Sequence, residues 1–194
     1  MLRLPAAFLM SVVFVAAAQS ERSAVDFRNF EYPLPDMEEK EEMPATWKWL
    51  PSVPTTRVRL RNGEFHEPSP DQLPGSSVRW VSTVWGYLDD DGRQEAAVNL
   101  RYQTGGTAGW HYLYVYRLAG KRAELMSILE SGSRASGGLV DVAIRGQALE
   151  LRFQDEEPRH GDCCSNGYIE VSYRWEGGHF VEVGKRTRGS FRRG

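Results

Sequence analysis

Hydrophobic and polar residues alternate in short runs along most of the chain from residue 57 onward. Apolar side chains at every second position indicate half-buried β-strands, and the Gly, Asn and Asp residues between the runs indicate tight turns. The pattern predicts five successive hairpins, so we expect an all-β fold, an antiparallel meander of about ten strands forming a barrel or a sandwich. The predicted strand pairs are 57–61 with 64–67, 77–88 with 95–102, 111–118 with 123–129, 139–145 with 148–154, and 168–175 with 180–183.

Two of the turns are specific enough to predict their type. Asn62-Gly63 favours a type I′ turn because both residues tolerate positive φ, whereas Gly146-Gln147 favours type II′ because its glycine comes first. The second turn also sets a register in which six apolar residues share one buried face. The predicted pairs are Ile144 with Leu149, Val142 with Leu151, and Val140 with Phe153.

The first 18 residues have the layout of a secretory signal peptide. Arg3 supplies a positive charge, residues 4–15 are almost entirely apolar, and Ala16-Ala17-Ala18 offers small residues for cleavage. The apolar run is shorter than a membrane span requires. We therefore expect a periplasmic or secreted protein without a membrane span.

Shifts in composition divide the rest of the chain into three segments. Residues 19–55 form a Pro-rich arm with an acidic run, which we expect to be loosely structured. Residues 56–184 form the β domain, and residues 185–194 form a basic tail that we expect to be flexible. The formal net charge of -2 argues against nucleic acid as a partner.

The most specific local motif lies within residues 86–98. Asp89, Asp91 and Glu95 match the Asp-rich loop of FG-GAP and VCBS repeats, which this segment resembles. In that family the loop often holds calcium, because a hard cation takes several carboxylate oxygens around one tight turn. The resemblance implies a calcium site, although Tyr87 stands where the first aspartate of the motif belongs. The alternative is an acidic hairpin turn that binds no metal.

Cys163 and Cys164 are adjacent and are the only cysteines of the chain. Their Cα atoms are about 3.8 Å apart, which is below the usual disulfide span, so a bond between them closes a strained, tight turn. An oxidising compartment favours this vicinal disulfide. Two alternatives stay open, namely a metal site with His160 and Asp162, and free or intermolecular thiols.

Strand alternation over residues 110–116 separates an aromatic face from an aliphatic face. The aromatic face is a candidate platform for a sugar or an extended peptide, unless the arm covers it with Trp47 and Trp49. His111 lies on the opposite face, where a packed, hydrogen-bonded role competes with a catalytic one. The aromatic residues are Trp110, Tyr112, Tyr114 and Tyr116.

Residues 26–184 resemble a group of uncharacterised exported bacterial all-β proteins. The shared features are an Asp-Gly-x-x-Glu-Ala loop, a Gly-Gly-Leu strand entry, a Cys-Cys step and a closing Tyr-x-Trp-x-Gly-x-x-Phe-Val element. The resemblance implies a fold and a compartment, and it brings no assigned activity.

The sequence contains none of the common catalytic motifs. We therefore expect a non-catalytic binding or interaction module with a protein or glycan partner outside the cytoplasm. One alternative is an inhibitor of a secreted hydrolase such as lysozyme, because Ser131-Gly132-Ser133-Arg134 resembles the Ser-Gly-Ser loop of bacterial lysozyme inhibitors. Another is a hydrolase that uses His111 with a carboxylate.

Overall fold

The computed structural model describes residues 25–34, 47–67, 75–104, 109–133, 137–159 and 165–191. The predicted signal peptide and the cysteine pair, Cys163 and Cys164, lie outside these ranges. Within them the regular structure is β-strand, apart from one 3-10 turn over Phe27–Asn29. No helix there has the length and the apolar character that crossing a bilayer demands.

Twelve strands follow one another in the described part of the chain, which confirms the all-β prediction. They are β1 (Glu31–Pro33), β2 (Lys48–Trp49), β3 (Arg57–Arg59), β4 (Glu64–His66), β5 (Ser77–Gly86), β6 (Glu95–Gln103), β7 (Gly109–Ala119), β8 (Arg122–Ser131), β9 (Leu139–Arg145), β10 (Ala148–Arg159), β11 (Ser165–Glu176) and β12 (His179–Ser190).

The strands form three antiparallel sheets, arranged as a sandwich and not closed into a barrel. The six-stranded sheet has the order β2-β8-β7-β6-β5-β4, and the four-stranded sheet has the order β12-β11-β10-β9. Strands β1 and β3 form a separate ribbon. Within the run β5 to β8, and within the run β9 to β12, consecutive strands pair with each other, as a meander requires.

The six-stranded sheet is covered on both of its faces. Ala97, Leu113 and Leu129 pack against the four-stranded sheet, and we call this the inner face. Side chains at alternate positions, such as Leu100 and Tyr114, pack against the N-terminal residues, and we call this the arm face. Because both faces are covered, β6 and β7 are buried at nearly every position rather than at every second one.

Several of the described arm residues pack into the core, which the expectation of a loosely structured arm did not include. Phe27 and Tyr32 are buried on the arm face. The Tyr32 hydroxyl donates a hydrogen bond to the Phe27 carbonyl at 2.6 Å, and the Tyr114 hydroxyl donates one to the Pro33 carbonyl at 2.6 Å. The first bond is internal to the arm, and the second ties the arm to β7 of the sheet beneath it.

The two arm tryptophans pack on the inner side of the sandwich and do not cover the aromatic face of β7. The Trp47 ring stacks on Phe153 with 3.9 Å between ring centroids, and its indole N–H donates to the Tyr173 hydroxyl at 3.0 Å. The Trp49 ring stacks on Phe180 at 4.3 Å. Strand β2 therefore closes one side of the space between the two large sheets.

The predicted register of the β9–β10 hairpin is confirmed near the turn and wrong at its far end. Ile144 pairs with Leu149 and Val142 pairs with Leu151, but a bulge next to Arg152 places Leu139 opposite Phe153. An extra residue in one strand shifts the alternation by one position. Leu139 is consequently 3 % exposed, whereas Val140, which we expected in the core, is 43 % exposed.

The turn of this hairpin also differs from the predicted type II′. Gly146 and Gln147 have φ angles of 52° and 65°, which is the pattern of a type I′ turn. The Gln147 side chain donates a hydrogen bond to Asp90, so a contact with another loop accompanies its left-handed conformation. The Asn62-Gly63 turn has the predicted type, with φ angles of 55° and 92°.

The strands on either side of Asn62-Gly63 separate after a single bridge between Arg61 and Glu64. Strand β3 pairs with β1, and β4 pairs with β5, so this predicted hairpin connects two different sheets.

At the other end of the chain, β12 continues to Ser190, so residues 185–190 belong to a paired strand and not to a flexible tail.

At the corner between the two large sheets, β5 and β9 approach each other closely. A methyl group on Gly86 would overlap the Ile144 side chain, so this position accepts only glycine without a shift of the corner.

The bulge makes a prediction about stability. Leu139→Ala should lower the free energy of unfolding by about 3 kcal/mol, because it empties a buried site. Val140→Ala should lower it by less than about 1 kcal/mol, because that side chain is largely exposed. Urea unfolding of both variants measures the difference, and a larger loss at Val140 would contradict the bulged register.

Candidate functional site

Polar side chains collect at the two ends of the sandwich. The tight turns around residues 89–94, 119–122, 145–148 and 176–179 lie at one end, which we call the turn end. The last residues of β6, β8 and β10 lie at the opposite end, which we call the loop end. The predicted calcium ligands are at the turn end, and His111 and Ser131 are at the loop end.

At the turn end, the structure brings Asp89, Asp91 and Glu95 together as the motif predicts. One carboxylate oxygen from each residue lies within 4.8 Å of the others. Glu95 is the first residue of β6 and pairs directly with Arg117 on β7. This register places a guanidinium group beside the three carboxylates.

The Arg117 side chain occupies the position of a cation in this cluster. Its Nε is 3.2 Å from an Asp91 oxygen and 3.2 Å from a Glu95 oxygen, and its Nη2 contacts Asp89. The Glu95 side chain is fully buried and that of Arg117 is only 17 % exposed. Three carboxylates therefore meet the Arg117 guanidinium in a partly desolvated site, and Asp91 also binds the more exposed Arg93 side chain at 2.8 Å.

The same carboxylates also bind the backbone of the loop. A Glu95 oxygen accepts a hydrogen bond from the Leu88 N–H at 2.7 Å, and an Asp91 oxygen accepts one from the Arg93 N–H at 2.8 Å. The bond from the Arg93 N–H is the main reason that the pKa of Asp91 falls to about 2. Burial raises the pKa of Glu95 above its ordinary value. Hydrogen bonds between these carboxylates and the backbone N–H groups therefore fix the conformation of the loop.

The sequence predicted these three acids but not Arg117. The signal was present, because Arg117 is the only Lys, Arg, Asp or Glu residue of β7 and pairs with Glu95 on β6. Calcium binding stays a prediction, and the guanidinium supplies the positive charge that these carboxylates require in this structure.

At the loop end, a row of polar residues lies on the inner face of the six-stranded sheet. His111 Nδ1 lies within hydrogen-bond distance of the Asn99 side-chain amide, 3.0 Å from its Oδ1. Burial, together with the charge of Arg101, lowers the pKa of His111 to about 4. The ring is therefore neutral near pH 7.

Ser131 on β8 pairs with His111 on β7, but its hydroxyl forms hydrogen bonds with backbone groups. Its Oγ donates to the His111 carbonyl at 3.3 Å and accepts from the Leu139 N–H at 3.1 Å. Ser131 and Ser133 are both buried. Residues 131–133, the Ser-Gly-Ser segment that resembles the inhibitor loop, are therefore buried, and Arg134 lies outside the described residues.

Asp155 lies on the inner face of the four-stranded sheet, two residues beyond Phe153. It is almost fully buried, and its Oδ2 is 3.3 Å from Arg188 Nε. Polar residues thus line both sheets at the loop end.

The aromatic residues of β7, the candidate ligand platform, are buried on the arm face. Phe27 and Phe30 each lie 5.3 Å from the Tyr116 ring, and Tyr32 lies 5.1 Å from the Tyr114 ring. Burial raises the pKa of the tyrosines well above the ordinary value. The arm therefore occupies the surface on which a sugar or a peptide was expected to stack. The four residues concerned are Trp110, Tyr112, Tyr114 and Tyr116.

No protein-family model, curated protein or solved structure matches this chain at a significant level.

Removal of the internal cation should destabilise the fold. Arg117→Gln should lower the free energy of unfolding by about 3 kcal/mol, because Glu95 is left buried without its partner. Arg93→Gln, the matched control on the exposed side of Asp91, should cost less than about 1 kcal/mol. Thermal melting with calcium and then with chelator should show a calcium-dependent rise in Tm only in the Arg117 variant. Equal losses in the two variants would contradict this role of Arg117.

His111 should make the fold sensitive to acid. The pKa is 6.5 when unfolded and about 4 when folded, so between these values the unfolded chain binds a proton that the folded chain does not. Stability is therefore fully present above pH 6.5 and decreases as the pH falls toward 4. His111→Gln should flatten this part of the curve of unfolding free energy against pH. An unchanged slope would show that other groups cause it.

Proposed function

We propose that this chain is an exported, non-catalytic binding module that recognises a macromolecular partner outside the cytoplasm. The signal-peptide pattern of the first 18 residues supports export. One observation supports the binding role above all: the candidate reactive groups of the described chain are engaged by internal partners.

The hydrolase alternative receives little support from the loop end. To act as a general base, His111 must place a ring nitrogen within reach of a nucleophile, and its Nδ1 is already in contact with Asn99. The hydroxyl group across the sheet, on Ser131, is buried and bonded to backbone on both sides. Arg117 likewise occupies the centre of the carboxylate cluster.

The surface, by contrast, retains groups that can bind another molecule. Strand β12 forms an edge of its sheet, and most of its side chains are exposed. A strand at an edge presents backbone donors and acceptors on its open side. Recognition at such an edge needs no catalytic group, which agrees with the internal engagement of the polar clusters.

Two measurements on the purified mature chain test the proposal. Chemical cross-linking in the extracytoplasmic fraction of the producing cells should capture a partner in a saturable manner, with the untagged chain as competitor. Capture should be unchanged in His111→Gln. Assays with ester, glycoside and peptide substrates should show no turnover, and a turnover that disappears in His111→Gln would contradict the proposal.

A further inference from the structure

A row of paired polar residues crosses the inner face of the six-stranded sheet at the loop end. Four consecutive strand pairs bring its members directly opposite one another, so their side chains lie on the same face. Exposure increases along the row, because Ser131 is buried, Arg101 is partly exposed and Arg79 is exposed. The row therefore leads from the core of the sandwich to solvent. Its members, from β4 to β8, are Glu64, Arg79, Arg101, His111 and Ser131.

The two arginines of this row differ in their partners. Arg79 Nε is 3.1 Å from a Glu64 oxygen, so its charge is compensated. Among the described residues, no ion pair joins the Arg101 guanidinium to a carboxylate. Arg101 also lies directly opposite Arg79, and like charges at such positions in a sheet are unfavourable. Arg101 therefore carries a positive charge that its neighbours across the sheet do not compensate.

The residues around Arg101 hold its side chain against the sheet. A methyl group on Gly109, the first residue of β7, would lie 2.7 Å from Arg101 Nε, so the arginine occupies the space over this glycine. The Gln103 side chain borders the same space, 3.1 Å from that methyl position. On the other side, His111 is neutral near pH 7, because burial and the charge of Arg101 lower its pKa to about 4. The guanidinium thus has polar but uncharged neighbours on β7 and β6.

These observations favour an anion as the occupant of this position. Charged side chains that are withdrawn from water in proteins are normally paired with an opposite charge. A guanidinium binds two oxygens of one carboxylate or phosphate group side by side, which a monatomic anion cannot match. We propose that Arg101 is the centre of an oxyanion site at the loop end, which binds a carboxylate or phosphate group from the side of Arg79. This site goes beyond the binding function proposed above, which names no ligand chemistry.

Titration of the purified chain with sodium phosphate and with sodium acetate, each at constant ionic strength, tests the site. The Nε–H resonance of Arg101 and the ring resonances of His111 should shift in a saturable manner, with a Kd on the order of 1 mM for the better anion. Sodium chloride at the same ionic strength should leave both sets of resonances in place. The tighter of the two oxyanions shows whether the site prefers a carboxylate or a phosphate group.

Three variants separate the charge of Arg101 from its geometry. Arg101→Gln should weaken oxyanion binding at least about tenfold, because it removes the charged donor. Arg101→Lys keeps the charge without the planar fork and should weaken binding about threefold. Gly109→Ala keeps the arginine but displaces its side chain, and it should also weaken binding about threefold. Arg122→Gln, in the exposed turn between β7 and β8, is the matched control and should bind as the parent does.

Amide spectra of the variants establish that each one keeps the parent fold before its binding is compared. Equal binding by Arg101→Gln and the parent would overturn the oxyanion site. Equal shifts with chloride, or shifts that do not saturate, would also overturn it and would indicate general screening of surface charge. Capture of a partner by cross-linking does not depend on these titrations, so failure of the oxyanion site and failure of the binding function are distinguishable.

Discussion

The structure depends on one constraint: the central strands of the six-stranded sheet must be covered on both faces. Strands β6 and β7 are apolar on either side, and a sheet exposed on one face would leave Leu100, Tyr114 and Tyr116 in water. The four-stranded sheet covers one face, and the N-terminal residues cover the other. The described arm residues are therefore part of the core of the β domain and do not form a separate linker before it.

The same constraint explains where the charges lie. Leu113, Val115 and Leu129 fill much of the inner face, and the two polar clusters lie toward its opposite ends. At the turn end Glu95 is buried and needs a positive partner, which Arg117 supplies from the neighbouring strand. At the loop end the neutral His111 bonds to Asn99. Both clusters form internal contacts at positions where the sequence predicted a calcium site or a catalytic histidine.

Period-two alternation was sufficient to predict the meander, because it reports directly which residues face a core. It was not sufficient at Val140, because a bulge inserts one residue and moves Leu139 into the core instead. The predicted acids at 89, 91 and 95 do meet. Their partner Arg117 and the coverage of the β7 aromatics depend on contacts between distant segments, which local patterns do not encode. The role of Phe27 and Tyr32 was missed because a Pro-rich, charged segment resembles a linker.

The tryptophans near the start of the chain have a consequence for the order of folding. Trp47 stacks on Phe153, and Trp49 stacks on Phe180, so residues made early meet partners made near the end of synthesis. The inner core cannot close until almost the whole chain is available, and contacts between such distant residues slow folding. The last strands are therefore what completes the ring stacks of both tryptophans, and the space between the sheets closes late in folding.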